Sequence, residues 1–136
     1  MMETIPLPND IKVFYVTATS FPAGIMDAHK KLHALVPFSA DRKYFGISRP
    51  ENGVIVYKAA AEEINKGEAE KLHCDTLIVK KGKYISLTIK DYVKDKQSIE
   101  RSFKQLLSNP GIDPQGYCVE WYLNPLDVKC MVRLKD

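Results

Sequence analysis

Residues 116–134 read GYCVEWYLNPLDVKCMVRL. Two runs rich in aromatic and β-branched side chains, 116–123 and 128–134, flank four residues that favour a tight turn, Asn124 to Asp127. Runs of this kind joined by a short turn are typical of two neighbouring antiparallel strands. The sequence therefore predicts a β-hairpin in the C-terminal part of the chain.

Alternation within this hairpin assigns each side chain to one face of the sheet. Pairing Leu123 with Val128 across the turn sets the register, and successive residues then point to opposite faces. One face is apolar and is expected to pack against helices; it holds Val119, Trp121, Leu123, Val128, Cys130, Val132 and Leu134. The other face is mixed and holds Cys118, Glu120, Tyr122, Lys129, Met131 and Arg133.

The residues before the hairpin complete a strand-helix-strand-strand unit. A strand is predicted over 83–90, and a helix capped by Asp95 is predicted from the apolar stripe at Ile99, Phe103, Leu106 and Leu107. Along the strand, Ile85, Leu87 and Ile89 are expected to face the core. That alternation leaves Tyr84, Ser86 and Thr88 on the opposite, mixed face.

The first half of the chain repeats this order, with a strand over 11–18, a helix over 22–36 and strands over 44–48 and 54–61. Alignment of the halves places Tyr15 on the mixed face. The sequence thus predicts one α+β domain, 1–136, with repeats over about 11–61 and 83–134 and a polar connector over 62–82. Its two tandem strand-helix-strand-strand repeats form an antiparallel sheet with helices on one face and a ligand cleft on the other.

Composition and charge argue against several classes of function. The net charge is only +3, and the basic stretch from Lys80 to Lys96 lacks a helix-turn-helix or aromatic sheet motif, so direct DNA binding is not expected. No apolar run approaches the roughly 20 residues that span a bilayer, and residues 1–10 do not resemble a secretory signal. We therefore expect a cytoplasmic protein with no membrane contact. No glycine-rich phosphate loop is present, and no cofactor is expected.

Histidine and cysteine spacing gives little support to a metal site. His29 and His33 stand four residues apart on the first helix, where two imidazoles can share a metal, but the neighbouring lysines favour a polar, solvated helix face. Cys74, Cys118 and Cys130 lack the paired spacing of a zinc site, and the predicted register puts Cys118 and Cys130 on opposite faces, where they cannot bridge. No metal ligand is predicted.

The mixed face of the sheet has the composition of a ligand pocket. Tyrosines offer a large contact area at low entropic cost, and a partly desolvated carboxylate attracts a cation or accepts strong hydrogen bonds. Glu120, in the middle of its strand, is the candidate carboxylate. One alternative stays open, because Glu120 can also form a cross-strand ion pair with Lys129 or Arg133.

An ordered set of short stretches resembles the GyrI-like small-molecule-binding domain. The set comprises Tyr44-Phe45-Gly46-Ile47, Val56-Tyr57, Lys83-Tyr84 and Val119-Glu120-Trp121-Tyr122-Leu123, and the resemblance extends from about 11 to 134. In that family, which includes effector-binding domains of multidrug-sensing transcription regulators, a buried glutamate lies in an aromatic pocket for hydrophobic, often cationic ligands. The resemblance implies that Glu120 and Tyr122 are ligand-binding, with Tyr44, Tyr57 and Tyr84 as pocket walls. Asp91-Tyr92 departs from the glycine that many relatives have after the corresponding strand.

Three functions follow as hypotheses. Only about ten residues precede the first predicted strand, so the chain looks like the stand-alone members of the family. The first hypothesis is a binding protein for a small hydrophobic or cationic molecule that contacts Glu120, Tyr122, Tyr84, Tyr44, Tyr57 and Tyr15. The second is a hydrolase of strained electrophilic natural products, with Glu120 as general base. The third is a protein-interaction module, such as a gyrase inhibitor.

Overall fold

A computed structural model of the protein describes residues 2–95 and 97–136. In this part of the chain there are eight strands, β1 (Met2–Leu7), β2 (Ile11–Thr17), β3 (Tyr44–Glu51), β4 (Val54–Glu62), β5 (Asp75–Val79), β6 (Gly82–Ile89), β7 (Cys118–Tyr122) and β8 (Val128–Arg133). The helices are α1 (Ile25–Leu35), α2 (Glu68–Lys71) and α3 (Ser98–Leu107), with one turn of 3-10 helix over Tyr92–Lys94. None of the described helices has the length and apolarity to cross a bilayer.

The predicted fold class is confirmed: β2-α1-β3-β4 and β6-α3-β7-β8 are tandem repeats in one antiparallel sheet that curls. Strands β3 and β7 pair at the centre and join the repeats, with Gly46 opposite Glu120. The hairpin between β3 and β4 turns at Asn52 and Gly53, which both have positive φ as a two-residue turn requires. The first repeat therefore turns in the gap that the sequence predicts between 44–48 and 54–61.

Two edge strands extend the sheet and cross between the repeats. Strand β1, which precedes the first repeat, pairs with β6 of the second, whereas β5, in the connector, pairs with β2 of the first. Strand β1 contains Pro6, and a proline is tolerated there because the outer side of an edge strand needs no N–H donor. Strand β1 was not predicted from the sequence, since its proline and its acidic residue hide the strand pattern.

Each face of the sheet has its own apolar core. On one face α1 packs on β2 and β4, around Phe14, Leu32 and Ala61, and α3 packs on β6 and β8, around Leu106 and Cys130. The opposite face is covered by no α-helix of the two repeats and has a core that includes Val13, Phe45, Ile47, Tyr84, Val119 and Met131. Strands β3 and β7 lie between the two helices, so their helix-side residues line the strip that separates α1 from α3.

The predicted register of the C-terminal hairpin is wrong by one residue. Tyr122, not Leu123, pairs with Val128, because the loop between the paired residues is one residue longer than predicted. The Asn124 side chain accepts hydrogen bonds from the N–H groups of Leu126 and Asp127 at 2.8 and 2.9 Å, and the Leu123 N–H donates to the Asp127 carbonyl. A one-residue slip moves every side chain of one strand to the other face.

Strand β7 is the strand that changes faces. Val119 and Trp121 pack in the core opposite the helices, while Cys118, Glu120 and Tyr122 share the helix side with Val128, Cys130 and Val132. The prediction that Cys118 and Cys130 lie on opposite faces is therefore also wrong. Both cysteines are free thiols, and burial raises their pKa values to about 11 and about 12.

Candidate ligand-binding site

Glu120 lies on the central strand pair, in the strip between α1 and α3. Its residue surface is only 9% exposed, and it is the one acidic residue that is buried as a whole residue in the described part of the chain. The burial follows from the register of β3 and β7, which places Glu120 against Gly46 on one side and Cys130 on the other. A charged group is thus held where water is largely excluded, and such a position needs a reason beyond packing.

Two tyrosine hydroxyls hold one oxygen of the carboxylate. Tyr122 donates a hydrogen bond to Oε1 at 2.5 Å, Tyr57 donates to the same atom at 3.3 Å, and the two hydroxyls are 3.1 Å apart. The second oxygen, Oε2, accepts no hydrogen bond from any described residue. The ion pairs among described residues also leave Glu120 without a cationic partner.

The cross-strand ion pair that the sequence left open does not form. Lys129 pairs with Trp121 and therefore lies on the opposite face. Arg133 also lies on that face, where its guanidinium bonds to Asp113 at 3.3 Å and to Asp136 at 2.9 Å. The carboxylate of Glu120 is free to meet a cation that the protein itself does not supply.

Burial dominates the electrostatics of this cluster. Desolvation raises the pKa of Glu120 to about 7, and the hydrogen bonds from Tyr122 and Tyr57 offset only part of the rise. Burial and the nearby carboxylate raise the pKa values of both tyrosines further above their usual range. Glu120 therefore changes charge near neutral pH, while its phenol partners stay protonated.

His29 is a further member of the site that the sequence analysis misplaced on a solvated helix face. Its Nε2 lies 2.9 Å from the Tyr57 hydroxyl, and its ring meets the edges of Tyr57 and Tyr122 at centroid distances of 5.8 and 5.5 Å. Burial lowers its pKa to about 4, so the imidazole is neutral. Its spacing from Ile25 and Leu32, which are three or four residues away on α1, was the available signal that it faces the sheet.

Two loops at equivalent places in the repeats add aromatic rings to the cluster. The segment before α1 brings Phe21 to 6.2 Å from Tyr57, and the segment before α3 brings Tyr92 to 6.0 Å from Tyr122, centroid to centroid. Phe21 is 42% exposed and is therefore at the rim. Tyr92 lies where the family resemblance noted a departure from glycine, and it forms part of the aromatic surface.

The remaining predicted tyrosines divide between the two faces. Tyr44 is on the helix side opposite Tyr122, but its hydroxyl accepts the Ser39 N–H at 2.8 Å and its ring stacks on Phe38. Tyr84 and Tyr15 lie on the opposite face. Tyr84 donates to the Lys80 carbonyl at 2.6 Å, and Tyr15 lies beneath the Lys58 ammonium, 5.1 Å from the ring centroid. The structure thus brings together Glu120, Tyr122, Tyr57 and, at the margin, Tyr44.

Gly46 makes the close approach of Tyr57 to Glu120 possible. A Cβ at this position would lie 2.1 Å from the Tyr57 hydroxyl and 2.9 Å from Glu120 Oε1, well inside van der Waals contact. The tyrosine therefore lies directly over the backbone of β3. This contact explains why a strand at the centre of the sheet contains a residue with low β-propensity.

Substitution of Gly46 by alanine is expected to lower the free energy of unfolding by about 2 kcal/mol, because Tyr57 must move out of a packed position. Chemical denaturation measures the loss, and the Tyr57 ring resonances report the displacement. Ser48→Ala, two residues along on the same face of β3, is the matched control and is expected to change stability much less. Equal effects of the two substitutions would contradict the proposed role of Gly46.

The cluster has the chemistry of a cation-binding or proton-accepting site. Five aromatic or imidazole rings cluster around a carboxylate whose pKa is about 7, and a cation over the tyrosine faces gains attraction from their quadrupoles. Among the described residues, no group of three or more His, Cys, Asp or Glu side chains is placed to hold a metal ion.

The sequence matches no known protein family and no curated protein. The fold, in contrast, is shared with several solved structures. SAV2435, whose structure contains tetraphenylphosphonium, has a TM-score of 0.75 at 14% identity, over 99% of this chain and 94% of that one. An integron cassette protein from the mobile metagenome of Vibrio cholerae has a TM-score of 0.72 at 13% identity, over 98% and 95% of the chains.

A third similar structure is described as a bacterial transcription regulation protein from Staphylococcus aureus. Its TM-score is 0.66 at 14% identity, and the match covers 100% of this chain and 99% of that one. At such low identities the likeness establishes the fold alone. This chain therefore has the same α+β fold as proteins that include a tetraphenylphosphonium complex and a transcription regulation protein.

Proposed function

We propose that this protein binds a small lipophilic organic cation at Glu120, in the aromatic cluster between α1 and α3. The observation that carries the proposal is the buried carboxylate itself, which has two phenol donors and no cationic partner among the described residues. An ionised carboxylate in such surroundings is costly, and a bound cation would offset that cost. The site is thus complementary to a ligand that combines positive charge with apolar surface.

The aromatic rings define the shape of the ligand. Tyr57, Tyr122, Tyr92 and Phe21 give flat apolar surfaces at several angles around the carboxylate, and their faces favour a delocalised cation such as a phosphonium, an anilinium or a planar heteroaromatic ion. SAV2435 has the same fold and binds tetraphenylphosphonium, which supports this choice of ligand class. We further propose that this domain is related to the effector-binding domains of transcription regulators.

Ligand entry requires movement of side chains. Glu120 and Tyr57 are 9% and 1% exposed, so the carboxylate is reached only when the rings above it turn aside. Phe21, which is 42% exposed, lies in a loop, and Tyr92 begins a single turn of 3-10 helix; short segments of this kind move at lower energetic cost than the α-helices and strands. These two rings are the proposed entry point.

A pair of ions of matched shape and opposite charge tests the proposal. Tetraphenylphosphonium is expected to bind at pH 8, and tetraphenylborate is expected to bind at least 10-fold more weakly, because the ionised carboxylate attracts one and repels the other. Isothermal titration calorimetry measures both affinities. Equal affinities, or stronger binding of the borate, would show that the charge of Glu120 does not select the ligand.

Hydrolysis is the second candidate function, and the pKa of Glu120 is the observation that favours it. A carboxylate with a pKa of about 7 is suited to general-base catalysis near neutral pH. A strained electrophile, such as a reactive cyclopropane, is the substrate class to test. Turnover that disappears in Glu120→Gln, together with no saturable binding of organic cations, would favour the hydrolase over the binding protein.

A further inference from the structure

The polar groups of the site form an unbroken hydrogen-bonded chain from the buried carboxylate to helix α1. Glu120 Oε1 bonds to the Tyr122 hydroxyl, that hydroxyl lies 3.1 Å from the Tyr57 hydroxyl, and the Tyr57 hydroxyl lies 2.9 Å from His29 Nε2. The other ring nitrogen, Nδ1, has no partner among the described residues and is not sealed from solvent. The chain thus connects a buried acid to a nitrogen that water can reach.

We propose that His29 is the proton port of Glu120, meaning the group through which the carboxyl exchanges its proton with solvent. We further propose that the tautomer of His29 follows the ionisation state of the carboxylate. The proposal adds a positioning residue to the binding site and depends on the proposed function only for the identity of the ligand. Each group in the chain can act as both donor and acceptor, except that an ionised carboxylate only accepts. The state of Glu120 therefore sets the direction of every hydrogen bond in the chain.

A protonated Glu120 directs the chain outward. The carboxylic acid donates to the Tyr122 oxygen, Tyr122 donates to the Tyr57 oxygen, and Tyr57 donates to Nε2 of His29. Nε2 must then be bare, so the neutral imidazole keeps its proton on Nδ1. In this state the four groups hold one proton each.

An ionised Glu120 directs the chain inward. Nε2 of His29 carries the proton and donates to the Tyr57 oxygen, while Tyr57 and Tyr122 donate toward the carboxylate. Three protons each move by one hydrogen bond toward His29, and the fourth leaves Nδ1 for water. The exchange is balanced and needs no co-reactant other than solvent.

The other titratable groups around the carboxylate do not replace this route. Cys118 and Cys130 lie beside Glu120 on β7 and β8, and burial keeps both thiols protonated by raising their pKa values to about 11 and about 12. Tyr92 contacts the Tyr122 ring, and its hydroxyl makes no hydrogen bond to the described residues. His33, one turn along α1 from His29, contacts Tyr44 instead of Tyr57. His29 is therefore the imidazole that is joined to the hydrogen-bonded chain from Glu120.

The test uses nuclear magnetic resonance of protein labelled with 15N in histidine and with 13C in the glutamate carboxyl groups. From about pH 5.5 to about pH 8.5, without ligand, His29 is expected to exchange the Nδ1–H tautomer for the Nε2–H tautomer, with the midpoint at the titration of Glu120. In Tyr57→Phe, which breaks the chain but keeps the ring, the exchange is expected to disappear. Tyr84→Phe, on the opposite face of the sheet, is the matched control and is expected to retain the exchange.

Two outcomes overturn the proton port: an unchanged His29 tautomer while Glu120 ionises, or an unchanged exchange in Tyr57→Phe. Glu120→Gln gives a second check, because its His29 tautomer is expected to stay constant with pH. At about pH 6, tetraphenylphosphonium is expected to drive His29 to the Nε2–H form. If the cation does not bind but the His29 tautomer still changes with pH, the ligand class is wrong and the proton port is retained. If the cation binds without changing the His29 tautomer, the proton port is wrong and the binding function is retained.

Discussion

Replacement of Glu120 by glutamine is expected to weaken tetraphenylphosphonium binding roughly 30-fold at pH 8, which corresponds to about 2 kcal/mol. The glutamine keeps the size of the side chain and can still accept the Tyr57 and Tyr122 hydrogen bonds, so the packing of the site is preserved. What disappears is the negative charge in a place where water screens little. Calorimetry on the two proteins under the same buffer conditions gives the ratio directly.

The same experiment has a pH dependence with a defined sign. The pKa of Glu120 is about 7, and only the ionised carboxylate attracts the cation, so affinity is expected to fall about 10-fold from pH 8 to pH 6. Because the wild-type carboxyl becomes neutral on acidification, the wild-type and glutamine proteins are expected to converge near pH 5. At pH 6, binding is also expected to release a proton, which titrations in buffers of different ionisation enthalpy detect.

Glu70→Gln is the matched control for this experiment. Glu70 is an exposed carboxylate on α2, outside the aromatic cluster, and its substitution removes the same charge from the protein as a whole. Its affinity for the cation is expected to equal that of the wild type. A similar loss in both variants would mean that net charge, instead of the buried carboxylate, attracts the ligand.

Without ligand, Glu120→Gln is expected to stabilise the protein at pH 8 by up to about 3 kcal/mol. The folded-state pKa of Glu120 is about 7, above the ordinary glutamate value of 4.5, so the folded state binds the proton more tightly than the unfolded state. Below about pH 4.5 the Glu120 carboxyl is protonated in both the folded and the unfolded state, so it no longer lowers the free energy of unfolding. As pH rises from about 4.5 to about 7, the folded wild type loses stability, and the glutamine variant does not.

Urea denaturation at pH 5 and pH 8 measures this difference. The variant is expected to exceed the wild type by less than about 1 kcal/mol at pH 5 and by up to about 3 kcal/mol at pH 8. A saturating organic cation is expected to reduce the gap at pH 8, because it stabilises the ionised wild-type site by mass action. A gap that is the same at both pH values would show that Glu120 does not ionise near neutral pH in the folded protein.

The α+β class and the order of the repeats could be predicted from sequence because they depend on local patterns. Alternation along 83–90, the hairpin between 44–48 and 54–61 and the packing of Ile99, Phe103 and Leu106 on α3 each depend on neighbouring residues and agree with the prediction, whereas Leu107 of the predicted stripe is 46% exposed. The edge strand β1 could not be predicted in this way. Its partner is β6, about 80 residues away, and its own residues include Pro6 and Glu3.

A single turn determines on which face of the sheet the Glu120 side chain lies. The Asn124 side chain accepts hydrogen bonds from two N–H groups in a loop that is one residue longer than predicted, and that change of one residue moves the whole of β7 to the other face. For this reason, only some of the predicted site residues lie together in the structure. Glu120, Tyr122 and Tyr57 meet, whereas Tyr84 and Tyr15, whose faces were assigned correctly, lie on the opposite side of the sheet from them. His29 was missed because its neighbours along the helix are lysines.

The crossed edge strands have a consequence for how the molecule comes apart. Each half of the chain holds the outermost strand that the other half needs, since residues 2–7 complete the second repeat and residues 75–79 complete the first. Cutting the polypeptide between 63 and 74, ahead of β5, would leave two fragments that each lack a hydrogen-bonded border. We expect the intact chain to melt in one concerted step, and we expect the two fragments to regain structure when they are mixed.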